Sequence, residues 1–129
     1  MTGVQTCALP ISSRLDACEL LARLYWYTVE FGLITTPAGV RAYGAGILSS
    51  AGELRHSVLS PEPQRIGFDL ERIMRTLYRI DRYQASYFVI DSFQNLIDAT
   101  APDFTPVYAR VSRQQPLAAD TNVAGETRY

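Results

Sequence analysis

The sequence has 129 residues, of which 47% are hydrophobic and 19% charged, and its formal net charge is −1. This length and composition predict at most one small globular domain. Because no basic surface is indicated, we expect neither nucleic acid nor anionic lipid as a partner. A membrane span is not expected, because the longest nearly uncharged stretch, 24–40, contains Glu30 and several Thr and Gly residues. Cys7 and Cys18 match no zinc or disulfide spacing, which favours a reducing, cytoplasmic location.

Residues 1–12, MTGVQTCALPIS, lack the positive and apolar regions of a targeting signal. The string resembles the read-through translation of a sequencing-library adapter. We therefore interpret it as an assembly artefact, with a natural disordered N-terminus as the alternative. On this interpretation the gene continues upstream, and the natural protein in this sequence comprises a folded part, 13–113, and a polar tail, 114–129, that we expect to be disordered.

The first predicted element is an amphipathic helix that Ser13 caps and that ends near Gly32, before a turn at 35–39. Short extended segments are predicted at 40–43 and 54–59. The residues between them read as loop at Gly44-Ala45-Gly46 and at Ser49-Ser50.

A turn at 60–63 precedes a short helix that Asp69 caps and that runs to about Arg75. The aromatic and β-branched run Tyr87–Ile90 predicts a strand. Ser92 is expected to cap a final helix that ends before Pro102. Helices with short strands and no internal repeat indicate an α+β fold.

Glu30 is the only charged residue between Arg23 and Arg41, and aromatic and aliphatic residues flank it. A carboxylate in such a place must be paired, protonated, solvated or bound to a metal, because burying it unpaired costs several kcal/mol. The last turn of a helix makes the position worse for an anion. On the pattern alone a plainer interpretation is favoured: Asp16, Arg23 and Glu30 are spaced by seven, so Glu30 can simply extend a solvated stripe.

Trp26 precedes Glu30 by four residues and therefore shares its face of a helix, which is more often core packing than a binding role. The Gly44-Ala45-Gly46 stretch lacks the third glycine and the preceding strand of a phosphate loop. A serine triad is not expected around Ser49, because the chain has a single histidine and no Gly-x-Ser-x-Gly context. That histidine, His56, is more readily explained as a structural or surface residue than as a ligand.

Four strings carry a family resemblance: LARLYWYTVEFGLI (21–34), YGAGILSS (43–50), FDLERIMRTLYRID (68–81) and YFVIDSF (87–93). Together they resemble, in order and with little insertion, the C-terminal part of the catalytic domain of the aromatic amino acid hydroxylases, and most of all its bacterial phenylalanine-hydroxylating members. The resemblance spans about Leu15 to Val111. It implies a monooxygenase that converts L-phenylalanine to L-tyrosine with O2, iron(II) and tetrahydrobiopterin or a related tetrahydropterin.

By the same resemblance, Glu30 matches the glutamate of a two-histidine, one-carboxylate iron site, which removes the difficulty of its surroundings. Tyr25 matches a tyrosine close to the iron, and Trp26 matches the aromatic residue that packs on the substrate ring. Ser49 matches a serine that orients the substrate and one histidine ligand. Glu53 matches a glutamate that lines the site.

The sequence departs from the family pattern because the His-acidic-x-x-Gly-His motif of the histidine ligands is absent, and His56 does not replace it. We therefore expect the chain alone to be inactive. Two alternatives stay open: a hydroxylase of other ring specificity, with tryptophan as substrate, and a small non-enzymatic interaction protein that keeps this half-fold. An upstream histidine motif in the gene would favour the hydroxylase. Without a C-terminal heptad repeat, we expect a monomer when full-length.

Overall fold

The predicted first helix is present and begins slightly earlier than expected. The structure is a computed structural model that describes residues 11–129, with side chains from Ala17 onward. Helix α1 is Ile11–Tyr25, so it starts before Ser13, the residue predicted to cap it. Because residues 1–10 are not described, the interpretation of 1–12 as adapter sequence falls almost wholly outside the described residues. Within 11–129, no helix has the length and apolar character needed to cross a bilayer.

The end of this helix is wider than the regular α-helix predicted to run to Gly32. Residues Trp26–Glu30 form a π-helical turn, in which the amide of Phe31 donates to the carbonyl of Trp26 at 2.8 Å, five residues back. One local cause is Thr28, whose hydroxyl donates to the Leu24 carbonyl at 2.7 Å. Such side-chain bonds compete with the backbone ladder and bend helices. Single π-helical turns occur frequently at functional sites.

A four-stranded mixed sheet lies beside the π-helical turn. Its strands are β1 (Leu33–Thr36), β2 (Gly39–Ala42), β3 (Gln64–Gly67) and β4 (Ser86–Ile90), in the order β2-β1-β4-β3. Strands β1 and β2 form an antiparallel hairpin, whereas β4 runs parallel to both β1 and β3. The predicted turn at 35–39 is this hairpin turn, and Gly39 has the φ of +110° that favours glycine. Strands β2 and β4 match predicted segments, while β1 and β3 were not predicted.

Helices cover both faces of the sheet, as parallel strands require. Alternate residues of β4 point to opposite sides: Phe88 joins a core formed with α1 and the later helices, whereas Tyr87 and Val89 join a second core with Leu33 and Ile47. Every residue of β4 is buried. Strand β1, which follows the π-helical turn, therefore connects this turn to a sheet that is packed between helices on both faces.

The segment between β2 and β3 is helical, which corrects two predictions. Helix α2 is Ala45–Leu48, where the glycine-rich stretch was predicted to be loop. Helix α3 is Ala51–Leu59, so the extended segment predicted at 54–59 is wrong. The reason is local: Ser50 caps α3 by accepting from the Glu53 amide at 3.2 Å, and this cap outweighs the strand-like apolar residues that follow.

The later helices agree better with the sequence. Helix α4 is Leu70–Arg75, and Asp69 caps it as predicted. Helix α5, Phe93–Thr100, is capped by Ser92 as predicted, but it is not the final helix, because α6 (Thr105–Val111) follows. Helix α6 was not predicted. It packs Tyr108 and Val111 into the core shared with α1.

The segment after residue 113 has a defined course along the sheet, whereas its composition favours disorder. Its backbone bonds to the edge strand β3: the Gly67 amide donates to the Thr127 carbonyl and the Tyr129 amide to the Arg65 carbonyl, each at 2.9 Å. Glu126 pairs with the buried Arg72 at 2.5 Å. These contacts cover an edge strand that would otherwise present unpaired backbone groups. We call residues 117–129 the C-terminal strap.

Candidate functional site

Glu30 ends the π-helical turn as a half-buried carboxylate with no partner. Among the described residues it forms no hydrogen bond and no ion pair. Its surroundings are aromatic, with Trp26 and Phe31 stacked on each other at 4.7 Å between ring centroids. A carboxylate that is neither paired nor fully solvated is poised to bind a cation.

The glycines of the YGAG string bring α2 against this turn. A Cβ atom on Gly44 would overlap the carbonyl oxygen of Glu30, and one on Gly46 would lie 2.7 Å from the ring of Phe31. The stretch is therefore a close-packing element and not a phosphate loop. It fixes α2, and the serines that follow it, against the backbone of the candidate ligand.

Tyr25 and Trp26 lie at the junction of α1 and the π-helical turn. Tyr25 is 54% exposed, and so it faces outward beside the turn. Trp26 is part-buried, and two rings stack on its indole: Phe31, and Tyr78 at 4.4 Å with an interplanar angle of 15°. Tyr25, Trp26 and Glu30 thus lie together at the end of α1 and on the π-helical turn that follows it.

Ser49 and Ser50 occupy the junction between α2 and α3. Ser49 is exposed and its hydroxyl donates to the Gly46 carbonyl at 3.1 Å, which leaves its oxygen lone pairs for another donor. Ser50 is occupied by its capping bond to the Glu53 amide. Of the two hydroxyls, that of Ser49 is therefore the one that can take up a ligand.

Glu53 is buried, at 6% exposure, and its carboxylate has interior partners. The Gln84 amide donates to its Oε2 at 3.2 Å, and the hydroxyl of Tyr87 donates to the same oxygen. Burial, followed by this bond to Glu53, raises the pKa of Tyr87 above its ordinary value. Glu53 thus links α3 to strand β4 and to the loop before it, and its carboxylate is engaged in that link.

His56 is a residue of α3, not of the predicted strand. Its Nε2 lies 3.0 Å from the Gln84 carbonyl, and its ring contacts that of Tyr83 at 5.0 Å between centroids. These contacts agree with the interpretation of His56 as a structural residue.

The described residues offer a metal ion one ligand at this site. Within residues 17–129, no group of three or more His, Cys, Asp or Glu side chains is placed to hold a metal. One carboxylate fits one position of the two-histidine, one-carboxylate type of iron site, and the other positions would need ligands from beyond these residues.

Sequence reasoning missed the residues that support the site from a distance. Tyr78 stacks on Trp26 across more than fifty positions, and Gln84 and Tyr87 hold the carboxylate of Glu53. Tyr78 and Tyr87 lie within the strings that carry the family resemblance, but no spacing or cap marks any of the three as a partner of these residues. Only the tertiary fold brings them together.

An α+β fold with a lone carboxylate on an aromatic π-helical turn agrees with the family that the sequence strings resemble. The family model of the biopterin-dependent aromatic amino acid hydroxylases matches residues 8–112. The chain therefore belongs to this family.

Within this family, the chain is similar to several bacterial phenylalanine hydroxylases. The chain is 58% identical over 115 residues to a phenylalanine-4-hydroxylase of Ralstonia nicotianae, covering 89% of this chain and 37% of that protein. It is 63% identical over 105 residues to the phenylalanine-4-hydroxylase of Chromobacterium violaceum, covering 81% and 35%. A crystal structure of the C. violaceum phenylalanine hydroxylase bound to cobalt superimposes with a TM-score of 0.86 at 57% identity, covering 89% of this chain and 42% of that one. The chain thus spans little more than a third of the length of these curated relatives.

Proposed function

We propose that this chain forms part of the catalytic domain of a phenylalanine 4-monooxygenase, with Glu30 as an iron ligand. The observation that carries the proposal is the half-buried, unpartnered carboxylate of Glu30 in a member of a biopterin-dependent hydroxylase family. Two relatives named phenylalanine-4-hydroxylase, at 58% and 63% identity, support the substrate. The cobalt-bound relative supports a metal site.

In this proposal Glu30 contributes one negative charge and one oxygen ligand to iron(II). With iron(II) and a tetrahydropterin bound, the site would add one atom of O2 to the para carbon of phenylalanine, while two electrons from the tetrahydropterin would reduce the other atom to the level of water. The half-buried setting of Glu30 excludes part of the water that would otherwise weaken its hold on a cation. Its histidine partners would come from residues beyond those described.

The neighbouring residues bind and orient the substrate. Trp26 packs against the aromatic ring, and the Ser49 hydroxyl, with lone pairs free, accepts a hydrogen bond from the amino acid or from a histidine ligand. Tyr25, exposed beside the turn, closes the site next to the iron. Glu53 supports the site indirectly, because its carboxylate accepts hydrogen bonds from the Gln84 amide and the Tyr87 hydroxyl. We infer further that the enzyme is cytoplasmic, because Cys18 is a free, exposed thiol, which suits a reducing compartment.

A chimera tests the proposal. Residues 15–111 of this chain would replace the matching segment of the C. violaceum phenylalanine-4-hydroxylase, and tyrosine formation would be measured with iron(II) and a tetrahydropterin. We expect the chimera to be active and Glu30→Gln to lower kcat/KM by more than about 100-fold, because even residues that only support metal ligands typically contribute about 10- to 100-fold.

The control is Glu19→Gln, the same chemical change on α1 at a side chain that is 72% exposed. It should leave activity unchanged. Full activity of the Glu30→Gln chimera would contradict the proposal. If the chimera preferred tryptophan to phenylalanine, the proposed substrate would be tryptophan. The 129-residue chain alone should form no tyrosine, because its described residues supply a single ligand.

A further inference from the structure

Trp26 is the only tryptophan in the chain, and both faces of its indole are covered. The ring of Phe31 lies 4.7 Å away at an interplanar angle of 29°, and that of Tyr78 lies 4.4 Å away at 15°. Two rings stacked on one face at these separations would overlap each other, so they occupy opposite faces. The indole therefore stands as the middle ring of a three-ring stack.

This arrangement limits how Trp26 can meet a ligand. With both faces covered, another aromatic ring can approach the indole only at its edge, which is a favourable geometry for aromatic pairs. The indole Nε1 is buried and has no acceptor among the described residues. Its orientation is thus set by the stack and not by a hydrogen bond.

Tyr78 is itself held on both sides along the chain. The preceding residue, Leu77, accepts at its carbonyl from the Tyr27 hydroxyl at 2.7 Å, and its amide donates to the Leu117 carbonyl at 2.8 Å. The following residue, Arg79, has its carbonyl bonded to the Gln84 side chain at 2.6 Å. A loop that is fixed immediately before and after Tyr78 gives its ring a defined position.

The same loop is connected to Glu53. The backbone amide of Gln84 donates to the Glu53 carboxylate, and the Gln84 side chain bonds to both the carbonyl and the amide of Arg79. Gln84 is 2% exposed, so these bonds are shielded from water. A continuous set of contacts therefore runs from Glu53 through Gln84 to the loop of Tyr78 and on to Trp26.

We propose that Tyr78 is a positioning residue that fixes the indole of Trp26 by stacking on the face opposite Phe31, so that an aromatic substrate meets only the indole edge. The stacking role stands on the geometry alone, and its consequence for the substrate rests on the proposed function. The role requires an aromatic ring at position 78 but not the hydroxyl of tyrosine.

The single tryptophan makes the proposal measurable in the full 129-residue chain. Near-UV circular dichroism and acrylamide quenching of tryptophan fluorescence would be compared for the wild type, Tyr78→Leu and Tyr78→Phe. We expect Tyr78→Leu to lose most of the tryptophan dichroism and to raise the quenching constant roughly two-fold, because one indole face loses its stacked ring. Tyr78→Phe should restore both signals.

Tyr83→Leu is the matched control, since this tyrosine lies on the same stretch of chain but contacts His56. It should leave the tryptophan signals unchanged. The proposal is overturned if Tyr78→Leu keeps native tryptophan signals with native far-UV dichroism, or if Tyr83→Leu changes them equally. Should Tyr78→Leu fail to fold, nuclear Overhauser contacts between the Trp26 and Tyr78 rings in the wild type decide: their presence, with native signals in Tyr78→Phe, supports the proposal, and their absence refutes it. None of these readouts needs iron, pterin or phenylalanine, so a failure of the proposed function would not be mistaken for a failure of the stack.

Discussion

Removing the carboxylate of Glu126 tests whether the C-terminal strap is part of the folded structure. Glu126 lies in the strap and pairs with Arg72 of α4, with the Arg72 Nε and Glu126 Oε2 atoms 2.5 Å apart. The two side chains are only 7% and 12% exposed. The Glu126→Ala change therefore leaves a guanidinium buried against the ring of Phe88 without its counter-charge.

The loss in the free energy of unfolding depends on the hydrogen bonds that Arg72 retains in the Glu126→Ala variant. Removing one partner of a buried ion pair costs about 3–5 kcal/mol. Arg72 retains two neutral acceptors, the Thr76 hydroxyl at 2.7 Å and the Thr121 carbonyl at 2.8 Å. These partly satisfy the guanidinium, so we expect the low end of that range, about 3 kcal/mol.

Urea unfolding followed by far-UV circular dichroism measures this loss as a lower midpoint at unchanged slope. The control is Glu71→Ala, which breaks the Glu71–Arg110 pair, where the shortest distance is 2.7 Å and the side chains are 39% and 54% exposed. An exposed pair should cost less than about 1 kcal/mol. If Glu126→Ala costs no more than Glu71→Ala, the strap is not held as described and the reasoning fails.

Three further predictions concern the buried tyrosines and the substrate. Burial raises the pKa of Tyr27, Tyr43, Tyr87 and Tyr108, that of Tyr108 to about 12. Their neutral forms therefore stabilise the fold fully below the unfolded pKa of about 10. Urea unfolding should therefore show stability falling as pH rises from about 10 towards 12; constant stability across that window would be the contrary result. Tyr87→Phe should lower the free energy of unfolding by about 1–3 kcal/mol, because the buried Glu53 carboxylate loses a donor. The control Tyr129→Phe, which removes an exposed hydroxyl from Asp91, should lower it by less than about 0.5 kcal/mol. Equal urea midpoints for the two variants would count against the link through Glu53. In the chimera, Tyr78→Leu should lower kcat/KM for phenylalanine by about 10- to 100-fold, because a shift of about 1 Å in the position of a bound substrate can cost that much. Unchanged kinetics would show that the three-ring stack does not position the substrate.

The elements that the sequence predicted correctly are those controlled by neighbouring residues. Asp69 accepts from the Arg72 amide at 3.0 Å and Ser92 from the Asn95 amide at 3.1 Å, three residues on in each case. Such caps can be read from the chain because both partners are local. Strand β4 was predicted for a similar reason, since its aromatic and β-branched residues suit a buried strand.

The errors arose where one local signal outweighed another. Helix α3 begins with the capping-box pattern Ser50-Ala51-Gly52-Glu53, whereas the apolar residues within 54–59 favour a strand. The π-helical turn was also not predicted. The hydrogen bond that the Thr28 hydroxyl donates to the Leu24 carbonyl has no distinct signature in the sequence.

Of the candidate site, the sequence predicted the local part. Tyr25, Trp26 and Glu30 share one segment, and so their proximity follows from the chain itself. The stack of Tyr78 on Trp26 could not be predicted, because it depends on how α1 and the loop after α4 pack together. Position in the fold likewise gives Glu53 its interior partners, which its sequence position does not indicate.

The central claim is that Glu30 is an iron ligand, and the iron content of the purified chimera tests it most directly. After reconstitution with iron(II) and removal of free metal, the chimera and its Glu19→Gln form should each retain about one iron per chain, as one such site requires. The Glu30→Gln form should retain almost none. Equal iron in the Glu30→Gln and Glu19→Gln forms would contradict the claim.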